Sequence, residues 1–244
     1  MPTLYIVATP IGNLEDLTFR ALRILKEVDL ILCEDTRVTK KLLDRYGIKT
    51  PTLSYHQHSK LQKINYILDL LKQSKNLALV SDAGTPGISD PGNKLINEIV
   101  EKVEMVEIVP IPGASAVTAA ASISGFPMDR FLFLGFPPTK RKRKKFFEEV
   151  INSKYPVLFY ESPYRIIKNL NELLRETRDK RQETRIVVCR ELTKKFETIY
   201  RGEIEEVIKK IEKDKIKGEF VVIIEADRRP PAIGLSASGD WRAG

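Results

Sequence analysis

The stretch Ser81-Asp82-Ala83-Gly84-Thr85-Pro86-Gly87-Ile88-Ser89-Asp90-Pro91-Gly92 constrains this chain more than any other. It holds three glycines and two prolines in twelve residues, so neither a helix nor a strand runs through it. An apolar strand candidate, Leu77 to Val80, leads in, and a helix candidate from Asn93 leads out. A plain strand-to-helix connection takes about two to six residues. A longer, stiffer loop offers its backbone groups to a ligand, and in an α/β protein the carboxyl end of a strand is where ligands bind.

The pattern around the loop alternates strand and helix. Thr3 to Ala8, Asp29 to Glu34, Leu77 to Ser81 and Met105 to Val109 read as buried strands. Between them lie amphipathic segments: Leu17 to Val28 capped by Asp16, Arg37 to Arg45 stopped by Gly47, Leu61 to Leu71, and Lys94 to Val100. Pro110-Ile111-Pro112-Gly113 then punctuates the chain. A second α/β series follows. Its strands are Phe131 to Gly135, Pro156 to Tyr160, Arg185 to Arg190 and Phe220 to Glu225. Its helices are Ala114 to Ser124, one opened by the basic run and reaching Ile151, Ile166 to Leu174, and Ile204 to Ile211. The expected organisation is an N-terminal α/β domain over 1–111, a C-terminal α/β domain over 112–227, and a disordered or non-native tail over 228–244 that carries Trp241.

With 42% apolar and 30% charged residues, the chain has the composition of a folded soluble protein. No apolar run approaches the ~20 residues of a membrane span, and the chain enters a strand pattern at once rather than a signal peptide. Cys33 and Cys189 both lie in apolar strand candidates, which suits reduced thiols and a cytoplasmic location. His56 and His58 do not complete a zinc set, so no metal is expected. The net charge of +8 favours a polyanionic partner. It is concentrated in the unbroken run Lys140-Arg141-Lys142-Arg143-Lys144-Lys145, which is either a phosphate-contacting patch or a solvated helix face.

Three further glycine- or proline-rich elements follow strands: Thr9-Pro10-Ile11-Gly12-Asn13, Ile111-Pro112-Gly113-Ala114-Ser115-Ala116 and Gly135-Phe136-Pro137-Pro138. In an open sheet such loops converge on one crevice. There is neither a Gly-x-x-x-x-Gly-Lys-Ser/Thr loop nor a Gly-x-Gly-x-x-Gly after the first strand. The loops carry carboxylates, Asp82 and Asp90, rather than cations, which suits a neutral or positive ligand better than a triphosphate.

Thr9 to Asp16, Ser81 to Gly92 and Pro112 to Ala116 resemble the three glycine loops of the tetrapyrrole methylase superfamily. Cys33-Glu34-Asp35-Thr36-Arg37, Leu134 to Pro138, Tyr160-Glu161-Ser162-Pro163-Tyr164-Arg165 and Arg190-Glu191-Leu192-Thr193-Lys194-Lys195 resemble motifs of one branch, the ribosomal RNA small subunit methyltransferase I family. The resemblance runs from Met1 to about Asp227. It implies a tetrapyrrole-methylase-like fold of two α/β domains with S-adenosylmethionine in the cleft between them. It also implies a homodimer that methylates the 2′-oxygen of a cytidine in 16S ribosomal RNA near the decoding site.

On that resemblance the cofactor belongs to Pro10, Gly12, Asp82, Ala83, Gly84, Thr85, Pro112, Gly113, Ala114, Ser115 and Ala116, with Phe136 and Pro137 on its adenine. Asp82 either faces the cationic end of the cofactor or closes a turn within its own loop. The RNA side falls to Glu34, Asp35, Arg37 and the run Lys140, Arg141, Lys142, Arg143, Lys144 and Lys145. Glu161, Glu191, Arg165 and Lys194 are the catalytic candidates. Glu161 or Glu191 serves as general base, or each is a salt-bridge partner of Arg165 or Arg190. Two other readings use the same residues: methylation of a small tetrapyrrole, or an RNA-binding module without enzymatic activity.

Overall fold

The computed structural model describes residues 1–56, 61–90, 92–179 and 184–226. Five short strands, β1 (Thr3–Val7), β2 (Leu30–Cys33), β3 (Thr52–Ser54), β4 (Leu77–Leu79) and β5 (Glu107–Ile111), form one sheet in the order β3-β2-β4-β1-β5. Every pairing in it is parallel. Such a sheet needs cover on both faces, which is why its strands read as nearly continuous apolar runs. Leu77 and Leu79 point to one face, against α3 (Leu61–Lys72) and α4 (Gly92–Lys102). Ala78 points to the other, where α1 (Phe19–Glu27) and α2 (Thr36–Arg45) pack.

The chain then builds a second sheet from β6 (Leu132–Phe133), β7 (Val157–Glu161), β8 (Arg185–Arg190), β9 (Thr198–Glu203) and β10 (Phe220–Ile224), ordered β6-β7-β10-β8-β9. Only the β6–β7 pairing is parallel. Helices α6 (Arg143–Ile151), α7 (Ile166–Asp179) and α8 (Ile204–Glu212) cover one face, burying Phe147, Leu170 and Val207 against Phe159, Val188 and Val222. The opposite face takes α5 (Ala116–Ser124), whose Val117, Ala120 and Ala121 meet Leu158, Val187 and Val221. Ile11, from the loop after β1, joins this last cluster and couples the two sheets.

Several elements depart from the sequence expectation. Asp16 caps no long helix. It ends a single 3-10 turn, Leu14–Asp16, which Asn13 opens by accepting from Glu15 N, and α1 starts only at Phe19 behind Thr18. Thr18 Oγ1 accepts from Ala21 N at 3.1 Å. The basic run opens α6 late, because Lys142 sits in the left-handed region at φ 65° and the helix begins at Arg143. Strands β3 and β9 escape the periodicity, one for its three residues and the other for its polar edge sequence Thr-Ile-Tyr-Arg-Gly-Glu.

Among the described residues no helix is long and apolar enough to cross a membrane. Cys33 and Cys189 are free, buried thiols on different sheets, and burial pushes the Cys189 thiol up to about 12. The readings of His58, Pro91 and the tail with Trp241 lie outside the described residues.

Candidate active site

A cleft of about 460 Å³ opens where the two sheets meet. On one side it takes the carboxyl edge of the parallel sheet: Ile11 after β1, Glu34 after β2, Ser81 to Thr85 after β4, and Ser115 after β5. On the other it takes the ends of β7 and β8 and the start of β10. Antiparallel register sets Phe220 opposite both Glu161 and Arg190, so the three strand ends meet at one place, where Glu161, Glu191 and Glu219 line the cleft.

The first wall is tied together through its backbone. Thr9 N donates to Gly84 O at 2.9 Å and Gly84 N returns a bond to Thr9 O at 3.0 Å. Gly84 has φ +82°, and a Cβ there would stand 3.3 Å from Ile11 Cγ2, so only glycine folds the loop back without strain. Thr85 Oγ1 donates to Ala114 O at 3.2 Å, which joins the second and third loops. Asp90 accepts from Gly87 N at 2.6 Å and Gly92 N at 2.9 Å, so the turn-closing carboxylate is Asp90. Asp82 instead accepts from Asp35 N at 3.1 Å, linking the loops after β4 and β2.

The second wall is built from charged side chains. Glu161 is 1% exposed. It accepts from Ser162 N at 2.6 Å, from Asn169 Nδ2, and from Arg165 Nη2 at 2.9 Å. Arg165 also donates to Pro137 O at 3.1 Å. Glu191 accepts from Lys194 Nζ at 2.8 Å and Glu219 N at 3.0 Å, and Lys194 reaches Glu219 at 2.8 Å. Burial raises the Glu191 carboxyl, but the bonds from Lys194 and Glu219 N outweigh it and leave it below the ordinary carboxylate value. Glu34 moves the other way, raised by desolvation and then by the charges of Asp82 and Asp90. Tyr160, desolvated and close to Asp90 and Glu219, is pushed up to about 12. Among the described residues that line the cleft, Lys194 is the only cation.

Of the expected residues, Glu34, Asp82, Ala83, Gly84, Thr85, Ser115, Ala116, Phe136, Glu161, Glu191 and Lys194 line the cleft. Pro10, Gly12, Pro112, Gly113, Ala114 and Pro137 do not. Gly12 is a packing glycine: a Cβ there would run into Lys194 Cγ and stand 2.8 Å from Thr193 Oγ1. Pro137 is buried and serves through its carbonyl. Arg165 supports the wall from behind rather than facing the cavity. Asp35 caps α2 by accepting from Arg37 N, and its ion pair with Arg37 holds the carboxyl down near about 2. Arg143 departs furthest from expectation. Its guanidinium bonds Asn169 and Glu172 and lies 5.2 Å over the Phe147 ring, whereas Lys140, Arg141, Lys142, Lys144 and Lys145 remain exposed. The sequence reading left out Ile11, Tyr160, Cys189, Glu219 and Val221 as cleft residues. The period-2 alternation of β7, β8 and β10 already places Tyr160, Cys189 and Val221 on one sheet face with Leu158.

Residues 3–208 match the model of the Tetrapyrrole (Corrin/Porphyrin) Methylases. Ribosomal RNA small subunit methyltransferase I of Halalkalibacterium halodurans is 45% identical over 226 residues, 92% of this chain and 76% of that one. The protein of the same name from Thermotoga maritima is 43% identical, covering 92% and 98%. This chain is a tetrapyrrole methylase of the ribosomal RNA small subunit methyltransferase I family. Its fold is that of solved tetrapyrrole methylases. A cobalt precorrin-4 methyltransferase superposes with a TM-score of 0.67 at 19% identity over 91% of this chain and 94% of that one. The methyltransferase CobJ gives 0.68 at 18% identity, covering 95% and 98%.

Tetrapyrrole methylases take their methyl group from S-adenosylmethionine, and the cleft of this tetrapyrrole methylase fits that cofactor. Its volume lies within the ~300–1,000 Å³ of small-molecule sites. Glu34, Asp82 and Asp90 gather negative charge on one wall, which adds to the desolvation that raises Glu34, and a sulfonium and an ammonium group would offset that charge. Phe136, half exposed at the rim with its ring 5.4 Å from Tyr160, offers an aromatic face.

Proposed function

We propose that this chain methylates the 2′-oxygen of a cytidine ribose in 16S ribosomal RNA near the decoding site, as a cytoplasmic homodimer acting on the small ribosomal subunit. The observation that carries the reading is the 43–45% identity, over 92% of the chain, to proteins named ribosomal RNA small subunit methyltransferase I. The bound cofactor supplies an electrophilic methyl group. The backbone of Ala83, Gly84 and Thr85, with Ser115 and Ala116, would hold it, and Asp82 would face its positive end.

The reaction would be an in-line displacement: the ribose oxygen bonds the methyl carbon as the carbon–sulfur bond breaks to leave a neutral thioether, and the oxygen loses its proton. Most of the acceleration comes from holding the two reactants in an attack geometry. Glu161 is spent on Arg165, Asn169 and its own loop, so its role is positioning. Glu191, Lys194 and Glu219 form the polar end of the cleft. There Glu191 would receive the hydroxyl proton, and Lys194, which also bonds Glu219, would compensate the charge. The acidic cleft repels phosphate, so the RNA backbone would lie outside it, against Lys140, Arg141, Lys142, Lys144 and Lys145.

The test offers labelled S-adenosylmethionine with small subunits, naked 16S RNA or precorrin-type tetrapyrroles. Label is expected in RNA, in an alkali-resistant dinucleotide, because a methylated 2′-oxygen cannot attack the adjacent phosphate. Label in the tetrapyrrole alone would refute the reading. Replacing Lys140, Lys142, Lys144 and Lys145 by alanine should flatten the salt dependence of RNA binding, by ~0.7 in slope for each phosphate that is no longer neutralised.

A further inference from the structure

Tyr164 is 94% exposed, although its immediate neighbours are locked. Pro163 lines the cleft. Arg165 is pinned by Glu161 at 2.9 Å and by Pro137 O at 3.1 Å. Arg165 N and Ile166 N both donate to Ser162 O at 3.1 Å, closing the turn beneath the ring. Glu161, at the root of this turn, is held by Asn169, which in turn binds the inward-facing Arg143. A buried polar chain thus runs from the start of α6 through α7 to the turn, and Arg165 bonds that turn to the loop that leads into the basic run. The turn that carries it is held by these bonds while the aromatic ring stands in water. An exposed apolar residue is ordinary by itself. An exposed ring carried on a hydrogen-bonded turn, one residue after the cleft-lining Pro163, is a candidate platform beside the cleft.

The electrostatics of the rim say what such a platform would hold. Asp82, Asp90, Glu191 and Glu219 line the cleft and oppose phosphate, so a strand of RNA presenting a ribose there needs attraction that carries no charge. Single-stranded RNA is bound in that way, by splayed bases stacking on aromatic rings. We propose that Tyr164 is the platform on which a base of the RNA, at or beside the methylated nucleotide, stacks as its ribose enters the cleft. The proposal rests on the RNA reading given above. It adds a substrate-binding residue whose ring face does the work, with the hydroxyl dispensable.

The experiment measures methyl transfer to small subunits, and S-adenosylmethionine binding by calorimetry, for the wild type, Tyr164→Ala and Tyr164→Phe. Loss of one base–aromatic stack corresponds to a fall of roughly tenfold to a hundredfold in affinity. Tyr164→Ala is therefore expected to raise the KM for subunits by about that factor, with cofactor affinity unchanged, and Tyr164→Phe to behave as the wild type. Tyr164→Ala with a wild-type KM would overturn the proposal and leave the RNA reading standing. Tyr164→Phe falling as far as Tyr164→Ala would overturn it too, since stacking does not need the hydroxyl. A wild type that methylates tetrapyrrole and no RNA removes the RNA reading, and the proposal with it.

Discussion

The two walls of the cleft are made differently. The parallel sheet contributes mainly backbone: loops tied by the Thr9–Gly84 bridge and the Thr85–Ala114 bond, with small residues and the carboxylates of Glu34 and Asp82 facing inward. The mixed sheet contributes charge, in the Glu161–Arg165 pair and the Glu191–Lys194–Glu219 cluster. Parallel strands put all their carboxyl ends on one edge, so loops alone can build a binding wall there. Antiparallel strands alternate direction, so the mixed sheet reaches the cleft with side chains at strand ends. One wall is suited to holding a ligand by shape and by its acidic lining, and the other sets ion-paired side chains against it.

If the walls differ in this way, side-chain changes should be severe on the mixed-sheet wall and mild on the parallel one. Glu161→Gln leaves Arg165 without its buried partner and should cost about 3 kcal/mol of stability in denaturant unfolding. A loss below ~1 kcal/mol, the size expected of a surface pair, would break the contrast. Gly12→Val forces a side chain into Lys194 and Thr193 where the walls touch, with an expected loss of about 1–3 kcal/mol and weaker cofactor binding. Thr85→Val removes one side-chain bond from a wall held mainly by backbone, and should cost about 1 kcal/mol or less by the same measurement. The smallest effect is one of pH. The fold favours ionised Glu191, so its contribution is whole above the ordinary value of 4.5 and fades as pH falls below it. Glu191→Gln should therefore flatten that part of the acid limb of a stability–pH curve, and an unchanged limb would show that Lys194 and Glu219 N hold the carboxylate too weakly to matter.

The same contrast explains what was legible beforehand. Glycines and prolines at Ser81 to Gly92 announce a shaped loop because few other residues take those dihedrals, so the parallel wall can be read locally. The mixed wall depends on register. Nothing within Arg190 to Lys195 says that Glu219 will face Lys194, or that Gly12 will lie against it. Arg143 carries the same lesson. In a run of six cations it looks like its neighbours, and only the left-handed Lys142, which starts the helix one residue later, turns it toward Glu172 and Asn169. Helix α1 slipped for a local reason, since Asn13 and Thr18 are both good caps and the first was used for a separate turn.

The bond from Asn13 N to Thr193 Oγ1, at 3.1 Å, spans 180 positions of sequence. Contacts of such separation close large loops, and the entropy of closing them makes them slow to form. The parallel sheet needs nothing beyond Ile111, so it can assemble while the rest of the chain is still being synthesised. The cleft has no such independence: its two lips meet only after β8 and β10 have both been made. Order of assembly is thus written into the strand order, and competence to bind arrives last.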